Sequence, residues 1–279
     1  MAGLLSGLGL DELENIDIYA DPDKKEKEQE NVAAKNVVDE KDLVYDKTFV
    51  CPVCDAKFDN KIMKTGKARL LGMDKDLRPI HEGVDTQKYD VLLCPRCGYA
   101  ALSRFFPQVT STQAKLIKEH ISQKVRLHEY TGETYSYDDA LERYKLALAS
   151  AVVKRGKNSE KAYICLKSAW VMRGYAKSLE ESGKDAAKIK ELYAMEEAHM
   201  QNAYRGFTEA IQKESFPMCG MDEMTINYLM AVMALRFKEY ETASKLVAAI
   251  ITSSSANART KDKARDLKDE ILQEMKKAK

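Results

Sequence analysis

The chain has 279 residues and a formal net charge of +1, with 44% apolar and 32% charged residues. This is a typical composition for a soluble protein with one large domain or two modest ones. No stretch approaches the roughly 18 consecutive apolar residues of a membrane-spanning helix, and no basic segment precedes the first apolar residues, so we expect neither a membrane span nor a secretory signal. Six cysteines favour metal binding in a reducing cytoplasm over a disulfide framework.

The charge is unevenly distributed along the chain. Residues 1–42 hold 5 Lys and 12 acidic residues, a net charge of −7, whereas residues 43–110 carry +3 and residues 111–279 carry +5. A nucleic-acid-binding domain usually concentrates its basic residues more strongly than either of the last two segments does.

The acidic segment, residues 1–42, is expected to be a flexible tail. It begins with apolar residues mixed with acids (MAGLLSGLGLDELENIDIYA) and continues with a charged run (DPDKKEKEQE). Such a segment is typical of a mobile terminus, and its apolar part could also dock on this protein or on a separate partner.

Two Cys-Pro-x-Cys turns carry the strongest chemical signal. Each turn holds two thiolates close together, and two turns complete a tetrahedral four-sulfur metal site at Cys51, Cys54, Cys94 and Cys97. Gly98 follows the second turn and Asp55 the first, and both residue types tolerate the left-handed backbone that such turns need. Zinc in a structural role is the favoured cofactor, and iron in a rubredoxin-like site is the alternative.

The turns define a module over residues 43–110. Lys61–Leu71 and Tyr89–Leu93 are predicted as short strands that lead into the turns, and Gly66 and Gly72 are predicted to supply bends. The 39 residues between Cys54 and Cys94 are more than a minimal zinc ribbon requires. Small modules of this kind usually depend on their metal to fold.

Residues 111–279 are predicted to be almost entirely helical. Capping residues, helical periodicity and the Gly and Pro positions predict seven helices. Their expected bounds are Ser111 to His128, Ser136 to Gly156, Ser159 to Gly183, Ala186 to Glu214, Asp222 to Phe237, Glu239 to Ser253 and Arg259 to Lys277. The fold class is therefore mainly α, with a small β-containing, four-cysteine zinc-ribbon-like module ahead of stacked α-hairpins.

The short connections between helices indicate a tetratricopeptide-like repeat. The pair over 222–253 fits best, with small residues at Ala231 and Ala243. Giving Ala162 the same role places Ser150 and Val153 in the preceding helix, where small side chains would let two helices approach closely.

Several motifs together resemble a bacterial family catalogued as domain of unknown function 2225. They are CPVC, Asp74-Lys75-Asp76, Tyr89-Asp90-Val91, CPRCGYAA and the helical segment KSAWVMRGY, and the resemblance covers about residues 45–275. It implies a zinc-ribbon-like part followed by a tetratricopeptide-like part, and it implies no activity.

Other candidate residues have a structural interpretation beside a functional one. Trp170, Tyr228, Asp74 and Asp76 are candidate binding residues, and the two aspartates could instead form a polar turn or bind a hard cation. Glu196-x-x-His199 matches half of a di-iron motif, but no second copy accompanies it. Cys165 is expected to be a buried inert thiol, and Cys219 could be exposed in its turn. His81 is not expected to replace a cysteine as ligand, and the aromatic and Met stripes are expected to be core.

These observations favour a non-catalytic interaction protein, an adaptor or scaffold, for an unknown protein or peptide partner. The alternative is nucleic-acid binding by the ribbon, with Tyr99 or Phe105 stacking on bases. Its candidate phosphate contacts are Lys57, Lys61, Lys64, Lys67, Arg69, Arg96 and Arg104. An enzyme is the least favoured class, with Asp74, Asp76 and Cys219 as its candidate residues.

Overall fold

The structure is a computed structural model of the chain, and it describes residues 38–127, 130–183 and 185–277. The structure is mainly helical, with a small β region that carries the cysteine turns ahead of stacked helices, as the sequence predicts. Residues 1–37, which contain most of the predicted tail, lie outside the described residues.

The β region consists of three separate antiparallel hairpins. They pair β1 (Val44–Val50) with β2 (Lys57–Met63), β3 (Leu70–Met73) with β4 (Pro79–His81), and β5 (Val91–Leu93) with β6 (Ala100–Leu102). The first and third hairpins enclose the two cysteine turns, so that each turn is the tip of a hairpin. Short 3-10 helices cover Glu40–Leu43 and Thr86–Tyr89.

The predicted strand over Lys61–Leu71 is wrong as one element. It is divided between β2 and β3 by a turn in which Gly66 has a φ of +72°. Gly72 forms no bend and pairs with Ile80 next to a β-bulge. The pattern did not reveal the break because apolar residues lie on both sides of it. The β3–β4 hairpin also leaves the side chains of Leu70, Leu71 and Met73 exposed.

Seven α-helices follow within the described residues, and all but the first lie close to their predicted bounds. They are α1 (Ser111–Ile117), α2 (Tyr137–Val153), α3 (Asn158–Glu181), α4 (Ala186–Lys213), α5 (Glu223–Arg236), α6 (Tyr240–Thr252) and α7 (Ala258–Lys277). None of these helices is long and apolar enough to cross a membrane.

The first helix is shorter than predicted. After Ile117 the chain continues as a π-helical segment, Lys118–Ser122, and then leaves the helical conformation well before residue 128, which lies outside the described residues. The second helix begins where its capping signal predicts, because the Ser136 hydroxyl accepts from the Asp139 N–H while the Asp139 carboxylate accepts from the Ser136 N–H.

Helix α3 is the central element, with buried residues on nearly every side. One side packs with α2 and the β5–β6 hairpin, where Val171 and Ile164 meet Val91 and Leu93 in one hydrophobic cluster. Another side packs with α4 and α5 around Leu166 and other buried apolar residues. A helix that is apolar nearly all round must be covered on all of these sides, and the β region supplies part of the cover.

The small residues of the proposed repeat are buried, but their contacts differ between the two pairs. Ala231 and Ala243 lie in one cluster between α5 and α6. Ala162 instead faces Gly206 of α4, where an added Cβ would lie 2.9 Å from the Ala162 Cβ. The Ser150 hydroxyl of α2 accepts a hydrogen bond from the Ala100 N–H of β6.

Candidate metal centre

The two cysteine turns have the same backbone geometry. In the first, the Asp55 N–H donates to the Cys51 carbonyl at 2.9 Å and the Cys51 N–H donates to the Ala56 carbonyl at 3.0 Å. In the second, the Gly98 N–H donates to the Cys94 carbonyl at 2.9 Å and the Cys94 N–H donates to the Tyr99 carbonyl at 2.9 Å. Two unrelated hairpins therefore present their cysteines in the same way.

The residue after each turn is left-handed, as predicted. The φ of Asp55 is +58° and that of Gly98 is +72°. Space distinguishes them, since a Cβ on Gly98 would lie 3.3 Å from side-chain carbons of Ile121 and Val125. The left-handed backbone favours glycine at position 98, and the close packing of the segment after α1 leaves no room there for a side chain such as that of Asp55.

The four sulfur atoms converge on one point. Sγ of Cys51 lies 3.6 Å from Sγ of Cys97, and Sγ of Cys54 lies 3.6 Å from Sγ of Cys94. All four sulfurs lie within 4.8 Å of one another. A tetrahedral ion with metal–sulfur bonds of about 2.3 Å requires sulfur atoms about 3.8 Å apart. The four cysteines therefore fit a tetrahedral metal ion and could hold one.

The thiols strongly affect one another's protonation. Hydrogen bonds from Cys51 and Cys97 lower the pKa of Cys94, and the same contacts raise the pKa values of Cys51 and Cys97. Neighbouring thiolates repel, so protein atoms alone favour one thiolate that is shared with its neighbours. A divalent cation bound among the sulfurs would supply the positive charge that four thiolates need.

The site is enclosed by an apolar cluster. Cys51, Cys94 and Cys97 are buried, and only Cys54 is partly exposed. The rings of Tyr99 and Phe106 stack over the cluster with centroids 4.9 Å apart. Because all four positions around an ion would be taken by protein sulfur, a water molecule has no open coordination position, which is the arrangement of a structural site.

The Asp74-Lys75-Asp76 turn joins the β3–β4 hairpin to the helices through a buried ion-pair cluster. The Arg173 guanidinium of α3 lies 2.9 Å from Asp74, 2.6 Å from Asp76 and 2.8 Å from Glu196 of α4. The Trp170 indole N–H donates to Asp76 at 3.0 Å, and Arg236 of α5 contacts Glu196 at 2.9 Å. Three helices and the loop between the cysteine turns therefore meet in one network.

The cluster favours the charged forms of Arg173 and Asp74. Burial opposes the charge of Arg173, yet Asp76 and Glu196 raise its pKa above the ordinary value. Burial likewise acts against ionised Asp74, and Arg173, Lys177 and Arg78 lower its pKa all the same. Every carboxylate of the cluster is paired with a Lys or Arg side chain, so Asp74 and Asp76 offer no free carboxylate to a metal cation. This arrangement favours the interpretation of the two aspartates as a polar turn.

The remaining motifs shared with the family also lie on or against α3. The Lys167 ammonium of α3 lies 2.6 Å from Asp90, which follows the second 3-10 helix. Gly174 lets Arg78 and Asp85 pair against the helix, because an added Cβ would clash with the Asp85 carboxylate. The segment KSAWVMRGY is thus the surface of α3 on which the β region is fixed.

The remaining candidates are buried rather than presented to solvent. Trp170 is 4% exposed and Tyr228 is 7% exposed, so their binding role remains a prediction without an open surface around either ring. Cys165 is buried as predicted. The prediction that Cys219 could be exposed is wrong, because its thiol is buried. The thiol donates a hydrogen bond to the Ser159 carbonyl at 3.2 Å, and burial raises its pKa to about 12.

Two further candidates take structural roles. Glu196 is an ion-pair partner, and His199 contacts the Met195 carbonyl of its own helix at 2.9 Å. Nδ1 of His81 lies 3.2 Å from the Thr86 hydroxyl, and His81 is absent from the four-sulfur cluster. Cys219 lines a different cavity from Asp74 and Asp76. The three residues proposed for an enzyme therefore do not share one of these cavities.

The residues proposed for nucleic acid are only partly available. Tyr99 is fully buried and cannot stack on a base, so that half of the stacking prediction is wrong. The Lys61 ammonium lies 3.1 Å from Asp46. The Arg104 guanidinium packs against the Tyr163 ring, with 5.9 Å between its carbon and the centroid.

Sequence patterns missed two buried cations beside the module. The Arg143 guanidinium packs over the Tyr135 ring at 4.2 Å and donates to the Val91 carbonyl at 3.0 Å. Lys154 pairs with Glu160 at 2.7 Å where α2 turns into α3. Helical periodicity gives only a weak signal for them. Charged residues are rarely buried, so a Lys or Arg in the pattern normally predicts a solvent-facing position.

No curated protein and no solved structure matches the chain significantly. A family model does match, over residues 44–271, and its description is "Uncharacterized protein conserved in bacteria". The match begins at β1 and ends within α7, so it spans both cysteine turns, helices α1 to α6 and most of α7. The chain therefore belongs to the bacterial family of domain of unknown function 2225.

Proposed function

We propose that this protein is a structural zinc protein that acts as a scaffold for another polypeptide. The observation that carries the proposal is the closed four-sulfur site, whose atoms are spaced for one tetrahedral ion. Four thiolates suit zinc and leave no position for substrate or water, which supports a role in holding the fold rather than in chemistry.

Zinc is preferred to iron because of the site's surroundings. The cysteines lie in an apolar cluster that fixes the β region, and a redox-inactive ion suits that position. An iron site of this kind would serve electron transfer, which normally requires a second redox group. The four-cysteine cluster is the one metal-type cluster found within the described residues.

The scaffold role is supported by the stacked helices. Helices α2, α3 and α4 together line an open groove of about 430 Å³, the kind of surface with which stacked helical hairpins bind peptides. The tetratricopeptide-like character of these helices and the division into a module at 43–110 and a helical domain at 111–279 are part of this proposal.

Affinity isolation of the tagged full-length protein from its native cells, with and without nuclease treatment, tests the scaffold role. We expect a polypeptide that is recovered in stoichiometric amount after nuclease treatment. Recovery of nucleic acid alone, or of no polypeptide at stoichiometric amount, would contradict it. A charge-conserving control variant, Lys190→Arg on the exposed side of α4, is expected to recover the same polypeptide.

A further inference from the structure

The groove has a floor of small side chains and an apolar rim. Ala162 and Cys165 of α3 form the floor together with Gly206 of α4. Gly206 packs so closely on Ala162 that a Cβ at position 206 would lie 2.9 Å from the Ala162 Cβ, so the two helices approach closely here. Val152 of α2 stands at the rim with 57% of its surface exposed. Such a floor accepts a small aliphatic side chain from outside the molecule.

Two cations without carboxylate partners line the same groove. Lys161 of α3 is half-buried, and Arg205 of α4 is exposed, and neither forms an ion pair in the described part of the chain. The Arg205 guanidinium donates to the Asn202 side-chain oxygen at 3.1 Å, which holds it at the groove.

The one acidic residue among the described residues that line the groove is already occupied. The Glu209 carboxylate accepts from the Asn158 amide at 3.1 Å and lies 3.7 Å from the Lys213 ammonium. The charge of Arg205 also reaches the floor. Burial raises the pKa of Cys165 to about 11, and Arg205 acts in the opposite direction. The groove therefore presents net positive charge beside an apolar floor.

From this complementarity we propose that the groove binds an extended peptide segment that carries acidic side chains next to small aliphatic ones. The carboxylates lie against Lys161 and Arg205, and an aliphatic side chain lies on Ala162 and Gly206. This inference deepens the scaffold role and rests on it. Charge-assisted hydrogen bonds to Arg and Lys provide the specificity, and the apolar floor contributes buried area.

The probe is a C-terminally amidated peptide, Gly-Val-Glu-Ala-Glu-Val-Gly, that carries fluorescein on its N-terminal amine. Fluorescence anisotropy with the full-length protein measures its Kd, and the same peptide with Gln in place of both Glu residues measures the contribution of charge. We expect the acidic peptide to bind at least about 10-fold more tightly than the Gln peptide, a difference of about 1.4 kcal/mol.

The matched variants change the same total charge at two places. Lys161→Gln with Arg205→Gln removes both groove cations, and Lys145→Gln with Lys190→Gln removes two exposed cations that line no described cavity. We expect the first pair to weaken binding about 10-fold or more and the second pair to change it less than about 2-fold. Neither pair removes an ion pair formed among the described residues, so circular dichroism and melting temperature should stay unchanged.

Equal affinity for the Glu and Gln peptides, equal losses in the two variant pairs, or no saturation at 1 mM peptide (on the order of −4 kcal/mol) would overturn the inference. An oligonucleotide that competes for the groove more strongly than the acidic peptide would also overturn it. These failures are distinct from failure of the scaffold role. If the double variant of Lys161 and Arg205 still recovers the polypeptide from cells, the scaffold role stands. The groove is then not the site at which that polypeptide binds.

Discussion

At the scale of single residues, the second cysteine turn shows which sequence signals were sufficient. Cys spacing, together with Gly98 after the turn, predicted both the converging sulfurs and the left-handed backbone. These features are local, since a turn's geometry depends on the few residues within it. The pairing of Asp76 with Trp170 and Arg173 joins residues more than 90 positions apart, and one sequence without a fold contains no signal for that contact.

Gly98→Ala tests the packing around the turn, with Gly66→Ala as its control. Both glycines have a φ of +72°, but a Cβ at position 66 meets nothing within 4 Å. Both substitutions should cost about 1 kcal/mol of stability for the left-handed backbone, and Gly98→Ala should cost about 1–2 kcal/mol more because Ile121 and Val125 must move. Chemical denaturation of both variants measures the difference, and equal losses would show that the turn is not packed as described.

At the scale of elements, helix bounds were predictable and the hairpins were less so. Caps and Gly or Pro positions placed α2 to α7 within a few residues, because helix signals lie within the helix itself. Strand pairing is decided by contacts across the chain, so β1, β4 and β6 were not anticipated. Helix α3 illustrates both cases, since its length followed from periodicity while its role as the support of the β region followed from the ion pairs of Lys167 and Arg173.

Asp76→Asn tests that support, with Lys75→Gln as a neighbouring control. The Asp76 side chain is 4% exposed and pairs with Arg173, whereas the Lys75 side chain is 69% exposed in its pair with Glu270. Removing a charge from a buried pair should lower the free energy of unfolding by about 3 kcal/mol, and losing the exposed pair should cost about 0.5 kcal/mol or less. Urea denaturation compares the two. Similar small losses in both variants would mean that the cluster does not fix the β3–β4 hairpin to α3.

At the scale of the whole molecule, the four-cysteine cluster and α3 act on the same part of the fold. The sulfurs hold the tips of the β1–β2 and β5–β6 hairpins together, while the β3–β4 hairpin and the loop before β5 are held by α3. Loss of the metal should therefore disorder the cysteine turns and expose their apolar cluster, yet leave the packing of α4 to α7 largely intact. Hydrogen exchange of the chelator-treated protein measures this, and uniform loss of protection over all helices would contradict it.

The most direct measurement is the metal content of purified full-length protein by native mass spectrometry, compared between two paired cysteine variants. Cys51→Ser with Cys94→Ser removes one sulfur from each turn, and Cys165→Ser with Cys219→Ser removes two buried thiols outside the site. We expect one zinc ion per chain in the wild type and in the second variant, and none in the first. A metal-free wild type that melts with the same cooperativity after chelator treatment, or a first variant that keeps its zinc, would contradict a structural four-sulfur zinc centre.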